Sequence, residues 1–145
     1  MWIDRLLASQ TTRAVELAAS FAEQRHQVLA ENLANIDVPG HHSKQLEPQA
    51  FQKSLQAALD RTERSHAARL ELRDNAQVST GPGGRIEVRP AVEPAENVLF
   101  HDGTNARLEK LLANINENAL YYEMTTNFLR GRYQTMLNAI KGKVV

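Results

Sequence analysis

Two adjacent histidines with a nearby aspartate are the side chains of this sequence that come closest to a metal site. His41 and His42 follow Asp37, and His101 lies next to Asp102 much further along the chain. Adjacent histidines point in different directions, and neither group has the ligand spacing of a zinc motif such as HExxH. We interpret these histidines as solvated loop residues and predict no metal site. A small metal-dependent hydrolase built on them is the least favoured alternative.

The other residue types that support catalysis do not form a recognisable arrangement either. The chain has no cysteine, and the glycines of STGPGGR (79–85) lack the GK[ST] ending of a phosphate-binding loop. Glu109, Glu117 and Glu123 fall on the exposed face of a predicted helix, with no second carboxylate placed for acid–base chemistry. We therefore predict no catalytic residue, no cofactor and no small-molecule substrate, and conclude that the protein is not an enzyme.

The asparagines in ENLANIDVPGHH (31–42) are better suited to contacts between helices. Asn32 and Asn35 lie three residues apart, immediately before a proline and a glycine. One interpretation is a polar helix end, whose amides supply hydrogen bonds near a turn. The other is an interface, because an amide buried between helices fixes their register through hydrogen bonds that wrong registers leave unmade. Facing amides are available later in the sequence, at Asn114, Asn116 and Asn118.

The N-terminal part of the chain is predicted to form a long helix. Residues 1–37 carry apolar side chains at helical spacing, with neither glycine nor proline among them. The helix should end near Asp37, because Pro39 disfavours the helical conformation at Val38. Gly40 can adopt a positive φ, so Pro39 and Gly40 suit the centre of a type II turn.

The C-terminal part, 106–145, has the most regular pattern in the sequence. Its apolar residues recur in alternating steps of four and three, which is typical of a coiled-coil seam. The predicted helix-packing seam consists of Leu112, Ile115, Ala119, Leu129, Tyr133, Met136 and Ile140. Helices this long are unlike those of a small globule with a single core, so we expect the two terminal helices to pack together as an antiparallel, coiled-coil-like pair. We also expect assembly with other chains, which would cover the rest of their apolar surface.

The middle of the chain, 38–105, is predicted to contain a turn, a short helix and an extended region. The helix should run from Pro48 to about Ser65, with proline in its first turn. RLELR (69–73) and RIEVR (85–89) alternate apolar and charged residues, which predicts a β-hairpin or a pair of extended segments. The fold class is thus mainly α, as one structural unit with an N-terminal assembly helix (1–37), this middle region and a C-terminal assembly helix (106–145).

The net charge of the chain argues against one class of partner, nucleic acid. The chain has 17 basic and 17 acidic residues, a formal net charge of zero. A nucleic-acid-binding surface normally leaves a basic excess, so we predict no nucleic-acid partner.

The first residues, MWIDRLLASQ, have charges early and no apolar run of the length found in secretory signals. Export, if it occurs, is therefore expected without a cleaved signal peptide of that type.

The segment ENLANIDVPGHHSK resembles the ANxANxxTPGY signature near the N-terminus of bacterial flagellar axial proteins, the rod and hook family. The matching residues are Asn32, Leu33, Ala34, Asn35, Asp37, Pro39 and Gly40. Two positions depart from the signature: Val38 stands where the family usually has threonine, and His41 where it usually has an aromatic residue.

The C-terminal segment that begins HDGTNARLEK is similar to the corresponding pattern of the proximal rod proteins of this family. The matching residues are Asp102, Gly103, Asn105, Leu108, Glu109, Glu117, Asn118, Tyr122 and Glu123. Thr104, Ala106 and Arg107 depart from the pattern. The short sister rod protein of the same family is the nearest alternative, and the beginning of the segment together with ENALYYE favours the proximal type.

The resemblance implies a structural subunit of the flagellar basal body rod, which lies in the periplasmic space and serves motility. Members of the family pass through the flagellar type III export apparatus without a cleaved signal, and they self-associate through their terminal helices. The implied partners are other rod proteins and the adaptor at the rod base, and the implied roles are torque transmission and formation of the export channel. Outside this family, the alternative is a cytosolic coiled-coil adaptor or secretion chaperone.

Overall fold

The computed structural model describes residues 10–65, 70–93 and 103–142. Its elements in these ranges are the helices α1 (Gln10–Ala34), α2 (Pro48–Ser65) and α3 (Gly103–Ile140), and the strands β1 (Lys44–Gln45), β2 (Val78–Thr80), β3 (Ile86–Val88) and β4 (Ala91–Val92). The predicted mainly α fold with long terminal helices is confirmed. Of the predicted features, residues 1–9, His101 with Asp102, and residues 143–145 lie outside the described residues. None of the described helices is long and apolar enough to cross a membrane.

Helix α1 lies at the centre of the fold, with α3 along one side and the strands and α2 against others. Its buried residues are spread around much of its circumference: Thr12, Ala14, Leu17, Ala18, Ala19, Phe21, Ala22, Val28, Leu29 and Asn32. Many of them are alanine, and small side chains allow neighbouring elements to approach closely. The alanine-rich sequence of α1 is therefore suited to a central position.

The hydrophobic core lies between α1 and the middle of the chain. Phe21 of α1 stacks on Phe51 of α2, with ring centroids 4.2 Å apart and an interplanar angle of 2°. Leu46, Val78 and Ile86 belong to the same buried cluster. Full burial of a side chain as large as phenylalanine contributes about 1.5–3 kcal/mol, so the two stacked rings are a main source of stability.

Helices α1 and α3 form an antiparallel pair, as predicted. The Asn118 side-chain Nδ2 donates to the backbone carbonyl of Ala22 at 2.8 Å. One end of the pair is joined by the Tyr133 hydroxyl, which donates to Glu16 Oε1 at 2.8 Å. A later residue of α3 thus contacts an earlier residue of α1, which establishes the antiparallel direction.

The middle region contains the predicted hairpin, but RIEVR has a different partner from the one expected. Strands β2 and β3 pair antiparallel, with Val78 opposite Val88 and Thr80 opposite Ile86. A 3-10 turn at Pro82–Gly84 joins them, and Gly84 has φ 77°. This short connection places VST directly beside RIEVR, so of the two alternatives for RLELR, the hairpin with RIEVR is wrong. The described part of RLELR instead buries Leu70 and Leu72 in the core.

The hairpin is attached to α1 by side-chain hydrogen bonds to its backbone. Gln24 Nε2 donates to the carbonyl of Ile86 at 2.9 Å, and the Arg13 guanidinium donates to the carbonyl of Gly84. Strand β1 pairs with β4, with Lys44 opposite Val92. The middle region is therefore folded back onto α1.

Candidate assembly site

The chain reverses direction after α1 through a type II turn. The amide of His41 donates to the carbonyl of Val38 at 3.2 Å, and Gly40 has φ 80°. Pro39 and Gly40 thus occupy the two central positions, and the sequence-based prediction of this turn is confirmed. A Cβ on Gly40 would meet no atom within 4 Å, so the positive φ rather than crowding requires glycine here. The helix itself ends at Ala34, a few residues before the predicted Asp37.

Asn32 binds the backbone of the strand that follows this turn. Its side chain is 5% exposed. Nδ2 donates to the carbonyl of Lys44 at 2.6 Å, and Oδ1 accepts from the amide of Lys44 at 2.9 Å. The side-chain amide therefore pairs with Lys44 much as a neighbouring strand would. We call this pair of hydrogen bonds the Asn32 clamp.

Asn35 makes a local contact instead. Its Nδ2 donates to the carbonyl of Glu31 at 2.8 Å, which is the hydrogen bonding expected of a polar helix end. Glu31 also forms an ion pair with Lys44 at 2.6 Å. The hydrogen bond from Lys44 and its positive charge lower the pKa of the Glu31 carboxyl. Both asparagines thus have partners within the chain, and a role for them in assembly stays a prediction.

The remaining residues of the N-terminal motif lie near the surface. Leu33 is half-buried, whereas Ala34, Asp37, Pro39 and Gly40 are exposed. The two positions that depart from the family signature are also in this loop, where Val38 is exposed and His41 is half-buried. The exposed part of the motif is therefore the turn, and its buried anchor is Asn32.

The C-terminal motif lies along α3 and has one buried member. Asn118 is buried and Leu108 is half-buried, whereas the other motif residues with described side chains are exposed: Glu109, Glu117, Tyr122 and Glu123. Gly103 begins α3, and Asp102 and the side chain of Asn105 lie outside the described residues. Asn118 contacts α1 at Ala22, about 15 Å along the helix from Asn32. The anchoring amides of the two motifs are therefore in separate places.

The face of α3 that contacts α1 overlaps in part with the seam derived from the sequence. The residues of α3 that are fully buried in the described part of the chain are Asn118 and Thr125. Of the predicted seam, Ile115, Leu129 and Met136 are half-buried, and Leu112, Ala119, Tyr133 and Ile140 are exposed. The most buried residues of α3 are thus polar, and the half-buried members of the predicted seam share their side of the helix, as Ile115 does with Asn118 and Leu129 with Thr125. A role of the predicted seam in packing between chains stays a prediction.

Large apolar side chains are exposed along α3. They are Leu112, Leu120, Tyr122, Met124, Phe128, Tyr133, Leu137 and Ile140. Leu120, Met124 and Phe128 are spaced by four residues and are 68%, 68% and 50% exposed, so they share one helix face. We call these three residues the outer stripe. The sequence analysis missed it, although its i, i+4, i+8 spacing was a usable signal.

A cleft of about 290 Å³ lies between α1, the beginning of α2 and α3. Its apolar lining includes Phe21, Phe51 and Met124, and its charged lining consists of Arg25 and Glu117. Burial lowers the pKa of the Arg25 guanidinium, while the negative charges of Glu117 and Glu47 act in the opposite direction. The cleft thus combines apolar surface with a partly desolvated positive charge, and sequence analysis did not single out Arg25.

The histidines singled out in the sequence do not form a metal site in the part of the chain that the structure describes. Among those residues, no group of three His, Asp or Glu side chains could hold a metal ion. His42 is exposed and His41 is half-buried in the turn after α1.

The chain is similar to several known proteins of one type. No known protein-family model matches the chain. The chain is 26% identical over 144 residues to the flagellar basal body rod protein FlgB of Escherichia coli K12, a match that covers 96% of this chain and 97% of the relative. It is 26% identical to FlgB of Salmonella typhimurium over 97% of this chain and 98% of the relative. It is 24% identical to FlgB of Bacillus subtilis over 94% of this chain and 97% of the relative.

These matches cover 94–97% of the chain, so they include its middle as well as its ends. The comparison therefore extends beyond the two terminal motifs. The predicted resemblance to the flagellar axial proteins is confirmed, and it is a resemblance to basal body rod proteins of the FlgB type.

Proposed function

We propose that this protein is a structural subunit of the flagellar basal body rod, at its proximal end. The similarity to FlgB proteins over nearly the whole chain supports the rod as its place. The observation that carries the proposal is the row of large apolar side chains exposed on α3, which a single chain leaves uncovered. Extended exposed apolar surface on a soluble protein is typical of a contact surface.

Assembly through the terminal helices is the mechanism that this arrangement favours. Helix α3 contacts α1 through the face that carries Asn118 and Thr125, and it leaves other large apolar residues exposed, including the outer stripe. Full burial of such a side chain between copies contributes about 1.5–3 kcal/mol, so several of them offset the entropy lost on association. The exposed members of the predicted seam, such as Leu112 and Ile140, are packing residues in this proposal.

The proposal also covers how the subunit reaches the rod, what it contacts there and what the assembled rod does. The subunit passes through the flagellar type III export apparatus without a cleaved signal peptide and assembles in the periplasmic space. It self-associates and contacts other rod proteins and the rod-base adaptor. The assembled tube transmits torque and encloses the export channel. The absence of a basic charge excess is in keeping with protein partners rather than nucleic acid.

Deletion of residues 136–145 tests the proposal in cells that lack their own proximal rod protein. The deletion removes Met136, Leu137 and Ile140, and we expect the truncated subunit to be absent from isolated basal bodies and the cells to be non-motile. The full-length chain and its Lys53→Glu variant, which changes an exposed residue of α2, serve as controls. Motile cells with the truncated subunit in their rods would contradict the proposal.

The alternative of a cytosolic adaptor or secretion chaperone is separated by a measurement on the purified protein. An adaptor would be fully helical as an isolated chain, with a circular dichroism signal independent of protein concentration. A rod subunit is expected to gain helix as it assembles, because its exposed apolar faces are covered only then. A helical signal that is complete and constant while the chain stays monomeric would favour the adaptor.

A further inference from the structure

We propose that the cleft between α1, α2 and α3 is a docking site for residues 1–9 of a second copy of this chain. In this contact the Asp4–Arg5 pair of one copy lies against Arg25 and Glu117 of the next. The inference rests on the self-association in the proposed function and adds a specific contact to it.

The cleft has an apolar lining suited to large side chains. Phe21 and Phe51 line it but are almost completely buried, at 2% and 1% exposed, and Tyr121 is half-buried, so the apolar surface open to a partner comes mainly from α3. Leu120 and Met124, which are both 68% exposed, also line the cleft, so two of the three residues of the outer stripe belong to it. A segment in the cleft would therefore cover apolar surface that the chain leaves in water.

The charges in the cleft favour a partner with charges of both signs. Arg25 is partly desolvated, and no carboxylate in the described ranges lies within ion-pair distance of it. Glu117 and Glu47 act on Arg25 only through their electric field. A carboxylate placed against this guanidinium would form a charge-assisted hydrogen bond, the stronger kind. Glu117 also lines the cleft and is exposed, so its carboxylate can form an ion pair with a positively charged group of the partner.

Residues 1–9, MWIDRLLAS, have the complementary chemistry. Asp4 and Arg5 are adjacent and opposite in charge, as Arg25 and Glu117 are in the cleft. Apolar residues lie on both sides of this pair: Trp2, Ile3, Leu6 and Leu7. Tryptophan is among the residues most often found to dominate binding energy at interfaces.

Geometry favours a second copy over the same chain as the source of this segment. Arg25 lies about 22 Å along α1 from Gln10, at 1.5 Å per residue. Residues 1–9 contain neither glycine nor proline, the residues that most often reverse a chain, and the sequence predicts one helix over 1–37. A contact between two different surfaces of identical copies is heterologous, and such contacts build open polymers.

Charge reversal in the full-length protein tests the contact. We expect Arg25→Glu and Asp4→Arg each to raise the protein concentration at which association is half complete by about tenfold or more. Sedimentation velocity and light scattering measure this concentration, and circular dichroism reports the fold of each variant. The matched control is Lys53→Glu, a charge reversal at an exposed position of α2 outside the cleft, which should associate as the unaltered protein does.

Mixing the two variants gives the decisive result. In the mixture, the reversed charge of each variant meets its complement on the other, so the two chains should associate together although each alone does not. A mixture that stays dissociated would overturn the proposal. If the mixture stays dissociated and a chain carrying both substitutions associates normally, the contact between these residues lies within one chain.

The failure of this inference can be told apart from failure of the proposed function. If Arg25→Glu and Asp4→Arg both associate normally while deletion of 136–145 prevents assembly, the docking site is wrong and the rod subunit stands. If the truncated chain also enters rods, the proposed function itself is wrong.

Discussion

The two terminal helices differ in how much of their surface the chain itself covers. Helix α1 is surrounded by α3, α2 and the short strands, and its buried residues lie on several faces. In the described part of the chain, helix α3 buries Asn118 and Thr125 while exposing most of its large apolar residues. Helix α1 therefore organises the fold, and α3 presents surface to other molecules.

The chemical character of the two surfaces explains this division. The contact of α3 with α1 includes hydrogen bonds from the Asn118 amide and the Tyr133 hydroxyl. A buried polar contact specifies register, because a shifted helix leaves its buried amide without a partner. The large apolar residues that α3 leaves exposed contribute free energy only when another surface covers them.

Truncation of a phenylalanine on each helix should give the largest difference between them. Phe21→Ala removes a ring that is 2% exposed and stacked on Phe51, and we expect a loss of about 3–5 kcal/mol in the free energy of unfolding. Phe128→Ala on the outer stripe should change this free energy by less than about 1 kcal/mol and should weaken association instead. Urea unfolding and sedimentation measure the two effects, and equal losses of stability would contradict the division between α1 and α3.

The two asparagines at the end of α1 should also differ, by a smaller amount. Asn32→Ala leaves the amide and the carbonyl of Lys44 without their partners in the Asn32 clamp, and we expect a loss of about 2–3 kcal/mol. Asn35→Ala removes one hydrogen bond at an exposed helix end and should cost about 0.5 kcal/mol. Thermal unfolding of both variants tests this order, and the reverse order would show that the clamp is not what holds the strand.

The contact between the helices can be tested at Asn118. Asn118→Ala removes its hydrogen bond to the carbonyl of Ala22, and we expect a loss of about 1–2 kcal/mol. Asn116 is exposed on the same helix, so Asn116→Ala is a matched control that should change stability by no more than about 0.5 kcal/mol. Similar values for the two variants would show that the amide does not fix the helix pair.

The smallest effect is expected at Tyr133 and depends on pH. Its hydroxyl donates to the Glu16 carboxylate, and this hydrogen bond raises the pKa of Tyr133. The folded protein thus keeps the proton where the unfolded chain loses it. The contribution to stability is fully present below the ordinary tyrosine pKa of about 10 and is lost as the pH rises through the folded-state pKa. Tyr133→Phe should flatten this alkaline loss in unfolding experiments, and an unchanged pH profile would contradict the assignment.

Local sequence signals were sufficient for the helices and the turn. Pro39 and Gly40 restrict the backbone by their own covalent structure, so the type II turn could be predicted without knowledge of the rest of the fold. The antiparallel pairing of α1 and α3 followed from their length, because neither helix could otherwise bury an apolar face in so short a chain.

The contacts that depend on distant residues could not be predicted in the same way. Apolar periodicity located the large side chains of α3 but not the most buried residues of the face that meets α1, because those are the polar Asn118 and Thr125. The partner of Asn32 is the backbone of Lys44, and backbone groups leave no pattern in a sequence. The cleft at Arg25 draws its residues from three helices, so no single segment indicated it.

The Asn32 clamp also makes the loop after α1 tolerant of sequence change. Because Asn32 holds Lys44 directly, the position of the strand depends on the helix and not on the exact shape of the intervening residues. Substitutions inside the closed loop that leave the turn at Pro39 and Gly40 intact can therefore occur without moving the middle region. Val38 and His41, which depart from the family signature, both lie inside that loop. The clamp thus holds the strand whichever residues occupy these two positions.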